Sequence, residues 1–344
     1  MNPNINMQQK ASAFMRIALR LFLAATFCLS LRAEDSALPL AQTIPVPRLK
    51  GGFNHMSVDA KRQLLFAAAP SNQTVEVIDL QSGKPQQSLK GPKPAAVRYS
   101  PEFDQLYVSR TDRLTIYDAS SLKVRVEIDP GSSLDELQYN AAARQLYIGC
   151  MTAGKVGIAM VSLPDGKIMR KVPLPGKPQG IVAEQQGHRL FANMPGTHSI
   201  AVVNCQKTVL LETWPVDQAE GNSALALDEG HGRLFVACRH PAVLLVFDTA
   251  TGKSLASVPI DGDTDDMFYD ARAMRVYLSC GKGFVDVIDQ IDPSHYRMHG
   301  RIPTAAGART STFDAALGIL CVGVPKSEAG PARLLIYHTN FSGL

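Results

Sequence analysis

One phrase returns seven times along this chain: a basic or polar residue, an aliphatic one, usually an aromatic, then a small or aliphatic residue. The instances centre on Phe66, Tyr107, Tyr147, Phe191, Phe235, Tyr277 and, in degenerate form, Leu320, at spacings of 41, 40, 44, 44, 42 and 43 residues. A period just above forty residues is what a four-stranded antiparallel blade with its turns requires. About ten residues after each aromatic a second alternating run ends in a polar anchor: Asp79, Asp118, Asp248 and Asp289, softened to Ser162, Asn204 and His338 elsewhere. Ser82-Gly83, Asp165-Gly166 and Thr251-Gly252 then supply tight turns, since glycine accepts positive φ without steric cost. Period-two alternation and frequent turns predict strands throughout, with no long helical segment beyond the N-terminus. The chain therefore reads as an all-β, seven-bladed β-propeller of four-stranded blades.

The way the ring closes is also legible. Gln42 to Leu49 resembles the outer strands but precedes the first blade, while the last blade ends at Leu334 to Tyr337 with no outer strand after it. The N-terminal strand is thus expected to complete the seventh blade, leaving no open edge.

Residues 1–33 have a different character. Lys10, Arg16 and Arg20 precede the apolar run Leu21 to Leu31, and Ala33 precedes an acidic, polar segment. This reads as a secretory signal peptide cleaved after Ala33, with 34–344 as the propeller, periplasmic or secreted. Retention as a membrane anchor is the competing reading, and the run is short for a span. Phe27 before Cys28 is too bulky for a lipidation signal. Removing the leader takes away four of the 35 basic residues and none of the 31 acidic ones, so the remainder is formally neutral. No basic stripe with interleaved aromatics marks a nucleic-acid surface. No stable membrane span is expected after cleavage, and a monomer is expected.

Five cysteines lie beyond the leader. Cys150, Cys238 and Cys280 each stand three residues after a blade aromatic and read as small buried residues. A Cys238–Cys280 disulfide on neighbouring blades is the alternative, but no disulfide framework is expected. Phosphate-cradling, zinc-protease and nucleophile-elbow motifs are absent, and without CxxCH there is no covalent haem.

The fold indicates which side chains converge. Turns from each outer strand into the next innermost strand lead to one mouth of the central channel, and there stand His55, Glu136, Gln179, Asn222, Asp265, Asp266 and Arg309. Turns after the aromatic strand add Arg110, Arg239 and His240. These form the candidate ligand-binding set: His55, Arg110, Glu136, Asn222, Arg239, Asp265, Asp266 and Arg309. No catalytic residue or metal ligand is singled out. Asp261-Gly262-Asp263-Thr264-Asp265-Asp266 is the densest acidic segment, but Asp266 and Arg272 stand where a calcium loop needs glycine and glutamate. It is a solvated turn or a ligand contact, which leaves room for a divalent cation. Asp265 and Asp266 are adjacent in a strand, so one faces the channel and the other the blade interface. His55 is a hydrogen-bonded structural partner or a proton-transfer group. Arg239 and Arg309 clamp an anionic ligand or pair with acids across the funnel. Trp214 is expected between blades.

Phe53-Asn54-His55-Met56-Ser57-Val58-Asp59, Ala226-Leu227-Asp228 through Cys238-Arg239, Asp265 through Asp270 with Ser279-Cys280-Gly281, and Gly307-Ala308-Arg309-Thr310 resemble the exported YVTN-repeat, or YncE-like, propellers. The namesake phrase is worn to Leu106-Tyr107-Val108-Ser109 and Val276-Tyr277-Leu278-Ser279. The resemblance covers nearly all of the mature chain and implies an exported seven-bladed propeller, but little about activity. Related propellers include lactone hydrolases and electron-transfer subunits, at the level of fold. The expected function is binding of a small molecule or protein partner at the polar funnel; the alternative is a lactonase-like hydrolase, with or without a divalent cation.

Overall fold

The computed structural model describes residues 38–339 except 132 and 153, so the expected signal peptide lies outside the described residues. Alternating sequences and short turns produce seven four-stranded antiparallel sheets. The first blade runs outward through Met56–Asp59, Leu64–Ala69, Thr74–Asp79 and Lys84–Lys90. Five more follow in chain order, and neighbouring innermost strands touch all the way round, the seventh meeting the first. The only helical turns among the described residues are the short Pro70–Asn72 and Pro195–Thr197.

The seventh blade contains Thr310–Asp314, Ile319–Val324 and Arg333–His338, and its outer strand is the N-terminal Leu40–Pro45, with Thr43 opposite Leu335. That strand stops at Pro45, which cannot donate to a ladder. Val46 and Leu49 continue into an apolar cluster with Leu334 and Met56 that joins the seventh blade to the first.

Burial lies between blades. Seven apolar clusters each span two neighbouring blades, and six of them contain one of the repeated aromatics. Phe66 packs 6.2 Å from Tyr99, Phe235 5.3 Å from Tyr269 and Tyr277 5.5 Å from Phe313, each on the innermost strand of the next blade. Trp214 lies between blades as expected, 5.4 Å from Phe191. Cys150, Cys238 and Cys280 are buried cysteines, and Cys238 and Cys280 are not joined by a disulfide.

The register corrects the seventh repeat by one residue. Leu64 pairs with the anchor Asp79, two residues before Phe66. In the seventh blade Ile319 pairs with the anchor His338, so the residue equivalent to Phe66 is Cys321 rather than Leu320. Cys321 accordingly faces the first blade, while Leu320 faces the sixth. With no aromatic to mark it, the sequence repeat left this register open by one.

Candidate functional site

Because apolar burial sits between blades, the innermost strands can carry polar side chains to the central channel. Counting back from the polar residue that ends each of these strands aligns all seven. Asp59, Ser100, Asn140, Glu184, Asp228, Asp270 and Asp314 are equivalent, each opposite the first residue of the second strand. Four residues earlier lies a narrow ring, the waist. Four blades place Ala96, Gly180, Ala224 and Thr310 there, and the other three place His55, Glu136 and Asp266. Gly180 and Ala224 border the same cavity as Glu136 and Asp266, whereas Ala96 packs between blades two and three.

Local backbone irregularity helps to aim them. The innermost ladder gains one residue between Leu134 and Leu137 and between Thr264 and Asp266. Such bulges release residues from regular pairing and redirect their side chains. They fall at Asp135-Glu136 and at Asp265, where the strands enter the channel.

At the mouth, Asp265 lies between two arginines. Its Oδ1 accepts from Arg239 Nη2 at 2.7 Å, and its Oδ2 is 2.8 Å from Arg309 Nε. Arg309 Nη1 also donates to both oxygens of Asp263, at 3.1 and 3.2 Å. Asp135 meets Lys177 Nζ at 2.9 Å. The two arginines thus pair with acids across the funnel. Burial pushes the Asp265 carboxyl up, and Arg309 and Arg239 pull it only part of the way back.

Deeper, Asp266 turns toward the seventh blade, where Oδ2 accepts from the Ser311 amide at 2.8 Å and Oδ1 lies 2.8 Å from His55 Nδ1. The two neighbouring aspartates therefore point to different neighbours, Asp265 to Arg239 and Arg309 and Asp266 to His55 and Ser311. The His55 side chain is 15% exposed. Burial works to depress its pKa, but Asp266 and then Glu136 outweigh it and the value is pushed up to about 9. Glu136 is half-buried and, among the described residues, makes no hydrogen bond or ion pair. Burial raises it most, His55 and Arg98 offset part, and its pKa settles at about 7.

His55, Glu136, Gln179, Arg239, Asp265 and Arg309 line one cavity of about 240 Å³, together with Asn54, Asp135 and Ser223. Glu136 and Asp265 also border a cavity of about 390 Å³ that continues toward the other mouth and includes Asp266 and Arg98. Two candidates do not join them. Arg110 is buried, donating to the Pro92 carbonyl and Tyr117 hydroxyl at 2.9 Å each. A Cβ at Gly91 would come within 2.6 Å of that guanidinium, so glycine there permits the close packing. Asn222 lies beyond the channel-lining positions and is fully buried, donating to Asn193 Oδ1 at 2.9 Å and the Ser199 carbonyl at 3.0 Å. Asn222 ties the entry of blade five to blade four, and Arg110 ties the second blade to the linker before it. His240 is exposed and absent from the residues lining these two cavities.

Sequence reasoning missed Arg98, whose guanidinium donates to the carbonyls of Leu137 at 3.0 Å and Met56 at 3.2 Å. Aligning the innermost strands on their final polar residue places Arg98 two residues before Ser100 and inside the channel. Among the described residues no group of three or more His, Cys, Asp or Glu is placed to hold a metal ion.

No family model matches the chain, and no curated protein matches it. Solved structures do. A chain in the crystal structure of a mitotic checkpoint complex matches with a TM-score of 0.74 at 13% identity, over 87% of this chain and 91% of that one. A chain of Kuenenia stuttgartiensis hydrazine synthase matches with a TM-score of 0.67 at 16% identity, over 78% of this chain and 91% of that one. What is shared is the propeller. Identities this low show fold alone, and the two neighbours come from an assembly and an enzyme, so neither function transfers.

Proposed function

We propose that this chain is an exported binding propeller of the YVTN-repeat, YncE-like type that takes a small ligand into its central channel through the polar mouth. The observation that carries this reading is Glu136. A partly buried carboxyl without a protein partner opposes folding, because burial disfavours its charged form. Groups perturbed in this way cluster at functional sites. The small residues Gly180 and Ala224, which border the same cavity, leave space for a ligand. Export rests on residues 1–33, and the family on the motifs that resemble it. A protein partner docking on the same face is compatible with both neighbours' fold.

The test is native mass spectrometry of protein isolated from the exported fraction, wild type beside Val182→Trp, which narrows the channel below the waist. The wild type is expected to carry a non-covalent adduct that the variant lacks. Identical spectra from the two proteins contradict a channel ligand.

A hydrolase is the second reading, favoured by the contrast between Glu136 near 7 and His55 near 9. Glu136 would take a proton from water attacking a lactone carbonyl, and the His55 imidazolium would protonate the departing ring oxygen. Assayed on a lactone panel, this reading expects turnover that Glu136→Gln removes. A wild type without turnover leaves the binding reading alone.

A further inference from the structure

Below the waist the channel wall has two unlike halves. Blades seven, one, two and three present Thr312, Ser57, Arg98 and Gln138 in equivalent register. Blades four, five and six present Val182, Ala226 and Phe268. All seven border the same cavity of about 390 Å³, within the range of small-molecule sites. The asymmetry is contiguous, so a bound molecule would meet a polar wall on one side and an apolar wall on the other.

The charges at the waist restrict what the polar end of such a molecule can be. Asp265 is held by Arg239 and Arg309, Asp266 by His55 and the Ser311 amide, and Asp135 by Lys177. Arg98 is fixed on two backbone carbonyls. An anionic ligand would have either to share Arg98 with those two carbonyls or to displace an aspartate from Arg239 or Arg309. A cationic one meets Glu136, the channel carboxyl without a protein partner among the described residues.

Resting on the channel-ligand reading, we propose that the ligand is a small amphipathic amine, its ammonium paired with Glu136 and its apolar body against Val182, Ala226 and Phe268. His55 and Arg98 face Glu136 as cations, and Asp266 and Asp135 as anions, Asp135 with Lys177 beside it. Glu136 holds its proton up to about pH 7, and the ammonium takes the place of that proton. Amine affinity therefore rises with pH, by roughly tenfold from pH 6 to pH 8, since the competing proton is lost over that interval.

The experiment is isothermal titration of the purified protein with phenethylammonium at pH 6 and pH 8, with 3-phenylpropionate and 2-phenylethanol as probes of matching shape. Wild type is expected to bind the amine roughly tenfold more tightly at pH 8 and to prefer it to both other probes. Glu136→Gln should lose that preference and the pH dependence, and its cooperative melting curve serves as the control for folding. Phe268→Ala should weaken the amine and retain the pH dependence. No amine binding, equal binding of the propionate, or amine binding indifferent to Glu136→Gln overturns the ligand class, while a channel adduct that Val182→Trp removes would still uphold the channel. Amine binding that Val182→Trp leaves unchanged places the amine outside the channel and overturns the proposal itself.

Discussion

At the scale of single residues, the waist makes stability depend on pH in two ways that can be separated. The folded His55 pKa stands above its ordinary 6.5, so its protonated form contributes stability that is fully present below about 6.5 and is lost as pH rises through about 9. Asp266→Asn should therefore be most destabilising near pH 6 and approach neutrality above pH 9. The folded Glu136 pKa also stands above its ordinary 4.5, at about 7. A raised acid likewise gives stability present below 4.5 and lost as pH rises through 7, leaving a charged carboxylate the fold disfavours. Glu136→Gln should thus stabilise the protein above pH 7, by up to roughly 3 kcal/mol, with no gain at pH 4. Chemical denaturation of both variants across pH checks the two signs. Phe235 makes a different contribution: it is fully buried between blades five and six beside Tyr269 and Tyr296. Phe235→Ala should cost about 3–5 kcal/mol at any of these pH values, measured by the denaturation midpoint.

At the scale of strands, the closing element is the one most exposed to test. Leu40–Pro45 covers the hydrogen-bonding edge of Arg333–His338, and an uncovered edge is a template for another chain. Removing residues 38–46 should lower the melting temperature and promote self-association, read by light scattering; a monomer of unchanged stability would contradict the closure. Strands were the most legible layer of the sequence, because period-two alternation and the blade aromatics state both blade count and closure. Register was legible only where an aromatic marked it, which is why Cys321 displaced Leu320. Site residues were legible to within about one position. His55, Glu136, Asp265 and Arg309 follow from their place at the entry to the innermost strand, whereas Asn222 falls just outside the channel-lining positions and turns into a blade interface. Arg110 was misplaced for another reason: nothing in its spacing indicates that Pro92 and Tyr117 enclose it.

At the scale of the whole ring, closure brings together groups that the sequence holds far apart. His55 and Asp266 are separated by 211 positions yet lie 2.8 Å apart, and Glu136 reaches the same waist from the third blade. The channel therefore behaves as one electrostatic unit only while all seven blades are in place, and its titration reports on ring integrity as well as on the ligand site. Coupled groups of this kind titrate together, so each substitution should move the others. The direct measurement is an NMR titration of the His55 ring and the Glu136 carboxyl in wild type, Asp266→Asn and Glu136→Gln. The account predicts midpoints near 9 for His55 and near 7 for Glu136, with His55 falling in both variants. A His55 midpoint at its ordinary 6.5, unmoved by either substitution, would contradict it.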